Sequence, residues 1–114
     1  VGSRVQVVSP GRHDAWVAQV SQVPHMAAVG LVEAASAGAF KIAGTGFFST
    51  TRIAQGSPEL WVQISETNAG EIVRSIDRLV RELKAIRNGI AAGRSNGLLK
   101  KLRSAQRKRQ RLNK

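Results

Sequence analysis

NAGEIVRSIDRLVRELKAIRN, Asn68 to Asn88, reads as one long amphipathic helix. Ile72, Val73, Ile76, Leu79, Val80, Leu83 and Ile86 recur in an a/d/e rhythm, which puts them on one face of a helix. Asn68 with Glu71 three residues on resembles a capping box, with Asn in place of Ser or Thr. Asn88-Gly89 supplies the stop. Arg74, Arg78, Arg81, Glu82 and Arg87 fall on the other face, which is read as solvated.

The neighbouring segments are also helical. Ser57 is a good N-cap, Pro58 suits the first helical position, and Glu59 sits where the helix dipole favours a negative charge. That helix should run to about Thr67, with Leu60, Trp61 and Ile64 on one side. A last helix is expected from Ser95 to about Leu112, its thin Leu stripe bordered by Arg103, Arg107, Lys108, Arg109 and Arg111. Ser9-Pro10 opens an earlier helix, with Trp16, Val17, Val20, Val23, Ala27, Leu31 and Ala34 as its apolar face. Pro24 should kink that helix or end it near Val23. The Ala- and Gly-rich segment Ala34 to Gly46 is expected to pack tightly. Only Arg4 to Ser9, RVQVVS, has a strand pattern. The fold expected is therefore all-α, preceded by a short strand or linker. Long amphipathic helices in so small a domain have more apolar face than one copy can bury, which points to self-association.

The 114 residues are enough for one modest domain. With no cysteine, disulfides, thiolate zinc sites and a cysteine nucleophile are excluded. No apolar run is long enough to cross a membrane and no signal peptide opens the chain, so a cytoplasmic protein is expected. The first residue is Val1, which reads as a cut or processed piece. The net charge of +11 is one-sided: 14 of the 18 basic residues lie from Arg74 onward, with only Asp77 and Glu82 of the seven acids. Such a block binds polyanions or is a solvated helix face.

The chain's chemistry concentrates in GTGFFSTTRIAQGSPELW, Gly44 to Trp61, read as a hydroxyl-rich loop leading into a capped helix. Arg52 is the only basic residue between Lys41 and Arg74, with no acid within six positions. A lone guanidinium among hydroxyls and glycines suits a carboxylate or phosphate clamp; the bland alternative is a surface arginine with a snorkelled stem. His13-Asp14 is an adjacent pair whose side chains should point apart on a helix. His25 beside Pro24 is read as a hydrogen-bonding histidine. No catalytic constellation, metal-ligand spacing or phosphate-binding glycine fingerprint is present.

Three matched stretches carry a resemblance. His13-Asp14 followed by Ser21, Pro24 and His25 resembles an "HD…S-H-x-P-H" helix. Gly46-Phe47-Phe48-Ser49-Thr50-Thr51-Arg52-Ile53-Ala54 resembles "GF-x-D-x-T-R-I-A", and Ser57-Pro58-Glu59-Leu60-Trp61 resembles "(D/S)-P-x-x-W". In this order they resemble the C-terminal domain of the prephenate/arogenate dehydrogenases of tyrosine biosynthesis. Gln22 and Ser49 depart from that pattern, replacing a histidine and an acidic residue. The basic C-terminal helices depart too, where the family's are often acidic.

The resemblance implies a two-domain oxidoreductase that converts prephenate to 4-hydroxyphenylpyruvate by oxidative decarboxylation. Residues 1–10 would be the strand and linker out of a Rossmann-type domain that binds NAD or NADP, and residues 11–114 the helical, homodimer-forming domain. Arg52 would hold a carboxylate of prephenate or arogenate. His25 would orient the same ligand, Gly46 would admit its approach, Thr51 would bind it while supporting the loop, and Gln22, Ser21 and Trp61 would support the site. No catalytic residue and no metal falls to this chain, which alone would be inactive. The competing reading, a small basic helical nucleic-acid-binding module, leaves the three motifs unexplained and lacks aromatics interleaved with the basic run.

Overall fold

The structure, a computed structural model, describes residues 9–112. The expected strand at Arg4 to Ser9 and the division of residues 1–10 from 11–114 fall largely outside them. All regular structure among the described residues is helical, as expected: α1 Pro10–Val17, α2 Val23–Ala34, α3 Thr45–Thr51, α4 Pro58–Thr67, α5 Ala69–Ala91 and α6 Ser95–Arg111. A π turn, Ala18–Gln22, joins α1 to α2, and single 3₁₀ turns cover Ala39–Ile42 and Arg52–Gln55. Among the described residues no helix is long and apolar enough to cross a membrane.

The helix starts follow their caps. Ser9 Oγ accepts from the Arg12 amide at 3.2 Å with Pro10 at the first position. Ser57 Oγ accepts from the Leu60 amide at 3.2 Å ahead of Pro58. Each hydroxyl satisfies one of the amides that a helix start leaves unpaired.

The passage through Pro24 differs from expectation. The interruption falls one turn earlier, and the helix resumes at Val23 with Pro24 in its first turn. In the widened turn the Val23 amide donates to Ala18 O. A wide turn lets a helix pass a residue that lacks an N–H and crowds the preceding carbonyls. The extra residue also shifts the apolar register. Val20 is 77% exposed and Trp16 is exposed, while Ala18, Val23, His25 and Ala28 are buried. The buried face therefore follows a five-residue step around the π turn, not the Trp16–Val20–Val23 face read from simple helical spacing.

Contacts divide the chain into two units, up to Ile76 and from Asp77. In the first, α2 packs against α3 and against the Arg52–Gln55 turn. Its buried apolar side chains are Ala18, Val23, Ala28 and Ile72, with His25, Thr51 and Ser75 as buried polar ones. This is a thin core, and Ile42 (88%), Phe48 and Val62 lie exposed. The tight packing expected of Ala34 to Gly46 is not found within one copy: a Cβ added at Gly38, Gly44 or Gly46 would meet nothing within 4 Å.

The second unit holds the rest of α5 and α6. Helix α5 does not stop at Asn88-Gly89 but runs on to Ala91. Gly93 supplies the stop, at φ 67°. The Arg94 amide donates to Gly89 O at 2.9 Å and the Gly93 amide to Ile90 O at 3.1 Å. That pair of bonds is a Schellman closure, with a glycine in the left-handed conformation. Lys101 Nζ lies 2.6 Å from Glu82 Oε1, and this hydrogen bond, then the charge of Lys101, holds the Glu82 carboxyl below its ordinary pKa.

Candidate functional site

Gly44 to Trp61 was read as a loop leading into a helix, but most of it is helical. Thr45–Thr51 is α3, Arg52–Gln55 continues as a 3₁₀ turn, and Ser57 then caps α4. Thr51 marks the change. It is buried, and its Oγ1 donates to Phe47 O at 2.7 Å. Thr51 itself sits at φ −104°, ψ 0°, and the chain tightens directly after it. A buried hydroxyl satisfied by its own helix leaves the next side chain, Arg52, facing out.

Arg52 is exposed and, with Phe48, Ser49 and Gln55, lines a hollow of about 480 Å³. Phe48, Arg52 and Gln55 are four and three residues apart, so one helical face presents them together. Arg52 has no hydrogen-bond or ion-pair partner among the described residues. A planar fork of unpaired donors beside a hydroxyl and an amide can receive a carboxylate or phosphate bidentately.

His25 lies elsewhere in the same unit. It is 5% exposed, and its ring is stacked on Trp61 with centroids 3.7 Å apart and planes 13° from parallel. Neither ring nitrogen is both sealed from solvent and unpaired, and His25 has no hydrogen-bond partner among the described residues. Its ring nitrogens are therefore unpaired among the described residues without being fully sealed. A hollow of about 550 Å³, mostly apolar, opens beside the stack between α2 and α4. Arg52 and His25 thus face two different hollows of one copy, although α2 packs against the turn that carries Arg52.

The remaining predicted site residues are also placed. Gln22 is half-buried, and its Oε1 accepts from Asn68 Nδ2 at 2.8 Å; Ser21 is exposed. Gly46 is exposed in α3, and nothing in the chain crowds it. His13 and Asp14 do not point apart: His13 Nδ1 lies 3.6 Å from Asp14 Oδ1, at the rim of a third hollow that Gln22 and Asn68 also line. The capping box expected of Asn68 and Glu71 is replaced by three other bonds. Asn68 donates across to Gln22 and to Asp14 O, and Glu71 accepts from Arg74 Nη2 at 2.7 Å. That bond raises the Arg74 pKa.

Two residues were not singled out from the sequence as part of this arrangement. A Cβ on Gly56 would stand 3.1 Å from Trp61 Nε1 and 3.2 Å from His25 Cε1. The signal available was a glycine directly before a Ser-Pro helix start. Asn68 is the second. Its cross-helix bonds left no local signature beyond an asparagine at a helix junction. No group of His, Cys, Asp or Glu among the described residues could hold a metal ion.

The chain is thus a small all-α domain that presents at its surface a guanidinium unpaired among the described residues, and holds a buried imidazole stacked on Trp61. It belongs to the prephenate dehydrogenase dimerization-domain family. The family model described as "Prephenate dehydrogenase, dimerization domain" matches residues 9–104. A cyclohexadienyl dehydrogenase of Zymomonas mobilis is 28% identical over 96% of this chain and 40% of its own length. A prephenate dehydrogenase of Bacillus subtilis is 30% identical over 87% of this chain and 28% of its own. Among solved structures, the A. aeolicus prephenate dehydrogenase in complex with hydroxyphenyl propionate and NAD+ superposes with a TM-score of 0.87 at 28% identity, over 98% of this chain and 41% of that one. A Synechocystis arogenate dehydrogenase shares the fold with a TM-score of 0.88 at 24% identity, over 97% and 43%. The chain therefore spans two fifths or less of the curated relatives' length.

Proposed function

We propose that this chain is the substrate-binding and dimerisation part of an NAD(P)-dependent prephenate or arogenate dehydrogenase. The observation that carries the reading is Arg52, an exposed guanidinium without a partner among the described residues, standing in the Gly46–Ala54 motif inside the matched family segment. Arg52 receives a carboxylate of the ring substrate through paired N–H donors. His25, pinned flat on Trp61, offers a ring nitrogen as a second polar contact. Where a bound substrate excludes water from these contacts, both are strengthened. A nicotinamide cofactor, when bound, takes up hydride as the ring loses its carboxylate. On this reading its site belongs to the part of such enzymes that this chain does not match. The exposed apolar side chains of the first unit, Ile42, Phe48 and Val62, support a homodimer.

The test is turnover. The full-length protein that contains this chain should reduce NAD or NADP with prephenate or arogenate, and the 114-residue chain alone should not. A full-length protein that turns over neither substrate with either cofactor would overturn the proposal.

A further inference from the structure

Asn68 stands at the joint between α4 and α5, at φ −123° and ψ 32°. Its Nδ2 donates to Asp14 O at 3.1 Å and to Gln22 Oε1 at 2.8 Å. A backbone carbonyl can only accept, so the amide nitrogen must face Asp14, and its second hydrogen is the one left for Gln22. The two acceptors flank the widened part of the helix: Asp14 lies on α1 and Gln22 ends the π turn. One side chain therefore spans the turn from both sides.

The register of that turn decides where His25 faces. An inserted residue rotates everything after it by about 100° relative to an unbroken helix. His25 follows Gln22 by three residues, and with the turn widened its ring meets Trp61. Trp61 stands on α4, and Asn68 lies directly beyond the end of α4. The two rings of the stack are thus carried by the two helical segments that the Asn68 amide ties together. Pro24 adds to the need for a tie, because it removes one backbone bond from the start of α2.

We infer that Asn68 is a positioning residue: through Gln22 and Asp14 it holds the π turn in register and so fixes the His25 imidazole against Trp61. It touches no ligand itself. The positioning of His25 stands on the geometry alone, and its consequence for substrate rests on the proposed dehydrogenase reading.

The experiment has two arms. In the first, the imidazole protons of His25 are followed by NMR in the 114-residue chain, where His13 is the only other histidine. Protons stacked over an indole resonate upfield of those on an exposed ring. Asn68→Asp keeps the size of the side chain and removes both donors. It should move the His25 protons downfield toward those of His13 while circular dichroism keeps its helical signal. Gln22→Met removes the acceptor and should do the same, and it carries the test if Asn68→Asp fails to fold. Gln22→Glu keeps an acceptor and should restore the wild-type position. An unmoved His25 signal in the folded variants overturns the inference.

In the second arm, the dehydrogenase that contains this chain is assayed. Loss of one net hydrogen bond at a supporting residue should raise KM for the ring substrate about fivefold, with KM for the nicotinamide cofactor unchanged. A displaced ring with an unchanged substrate KM would uphold Asn68 as the residue that positions His25 and would overturn the role given to His25 in substrate binding.

Discussion

His25 lies flat on Trp61, centroids 3.7 Å apart and planes 13° from parallel, and Gly56 is the residue that leaves room for the pair. A methyl group there would press on both rings at 3.1 and 3.2 Å. Neither neighbour is the loose end of a flexible side chain: each ring is braced by the other, and His25 is buried.

Gly56→Ala should therefore destabilise the chain by about 1–3 kcal/mol, the usual cost of overpacking. Thermal unfolding should fall by roughly 5 °C or more. The displaced indole should also change the Trp fluorescence. A variant that melts within about 1 °C of wild type would mean that the stack shifts freely, against the packing described.

Gly93 and Gly89 give a paired prediction. Gly93 has φ 67°, so Gly93→Ala forces a Cβ into the left-handed region and should cost about 1 kcal/mol. Gly89 lies inside α5 with open space where a Cβ would stand, so Gly89→Ala should stabilise by about 0.5–1 kcal/mol. Urea titrations of the two variants should move in opposite directions. The opposite assignment would return the helix stop to Asn88-Gly89.

That pair also shows where the sequence is legible. Local signals with local causes read correctly: the Ser9 and Ser57 caps, the prolines after them, the amphipathic run of α5 and the cationic border of α6. Asn88-Gly89 carries a stop signal too, yet the helix passes it, because Gly89 is tolerated in a helix while Gly93 closes a Schellman pair. The π turn was invisible because its cause is not periodic. It depends on Pro24 one turn later and on an asparagine 46 residues from Gln22. Once the turn shifts the register, Val20 leaves the core face and His25 enters it. Arg52 could be singled out from its isolation among hydroxyls, whereas Gly56 matters only through two rings brought from α2 and α4.

The exposed apolar side chains predict association. Ile42, Phe48, Val62 and, in the second unit, Leu102 lie open in one copy. Burial of about 25 cal/mol for each Å² of such surface is the force available to a second copy. Sedimentation equilibrium at micromolar concentration should return twice the chain mass. A clean monomer there would remove the support for a homodimer.

From Asp77 onward the chain has 13 basic residues against two acids. Helix α6 has no acid at all, and Lys101 is paired with Glu82. With no aromatic in this unit to stack on bases, any binding of nucleic acid should come from counterion release alone. For about five phosphate contacts, affinity for a duplex oligonucleotide should drop about 10²–10³-fold between 50 and 200 mM salt. Tight binding that survives physiological salt and prefers one sequence would point to a nucleic-acid-binding module.

The last prediction concerns Arg52, which the proposed function depends on most. It faces a hollow with Ser49 and Gln55 and has no partner among the described residues. Its charge is therefore not neutralised by any described residue, and removing it should leave the fold intact. A paired guanidinium–carboxylate contact, partly desolvated, is worth about 2–4 kcal/mol. In the proposed dehydrogenase Arg52→Ala should then raise the substrate KM about 30-fold or more, since each 1.4 kcal/mol is a factor of ten. KM for the nicotinamide cofactor should barely change, because the proposed function puts the cofactor on another part of the enzyme. Arg52→Lys should recover only part of the loss, because a point charge cannot reproduce two parallel hydrogen bonds. Ser49→Asp tests the same contact from the other side. It would place a carboxylate three residues before Arg52 on the same helical face, where it competes for the guanidinium, and it should raise the substrate KM without lowering the melting temperature. If Arg52→Ala left both KM and kcat within about twofold in a folded protein, the change would amount to less than 0.5 kcal/mol. That is too little for a partly desolvated carboxylate clamp, and Arg52 would then be a solvated surface arginine.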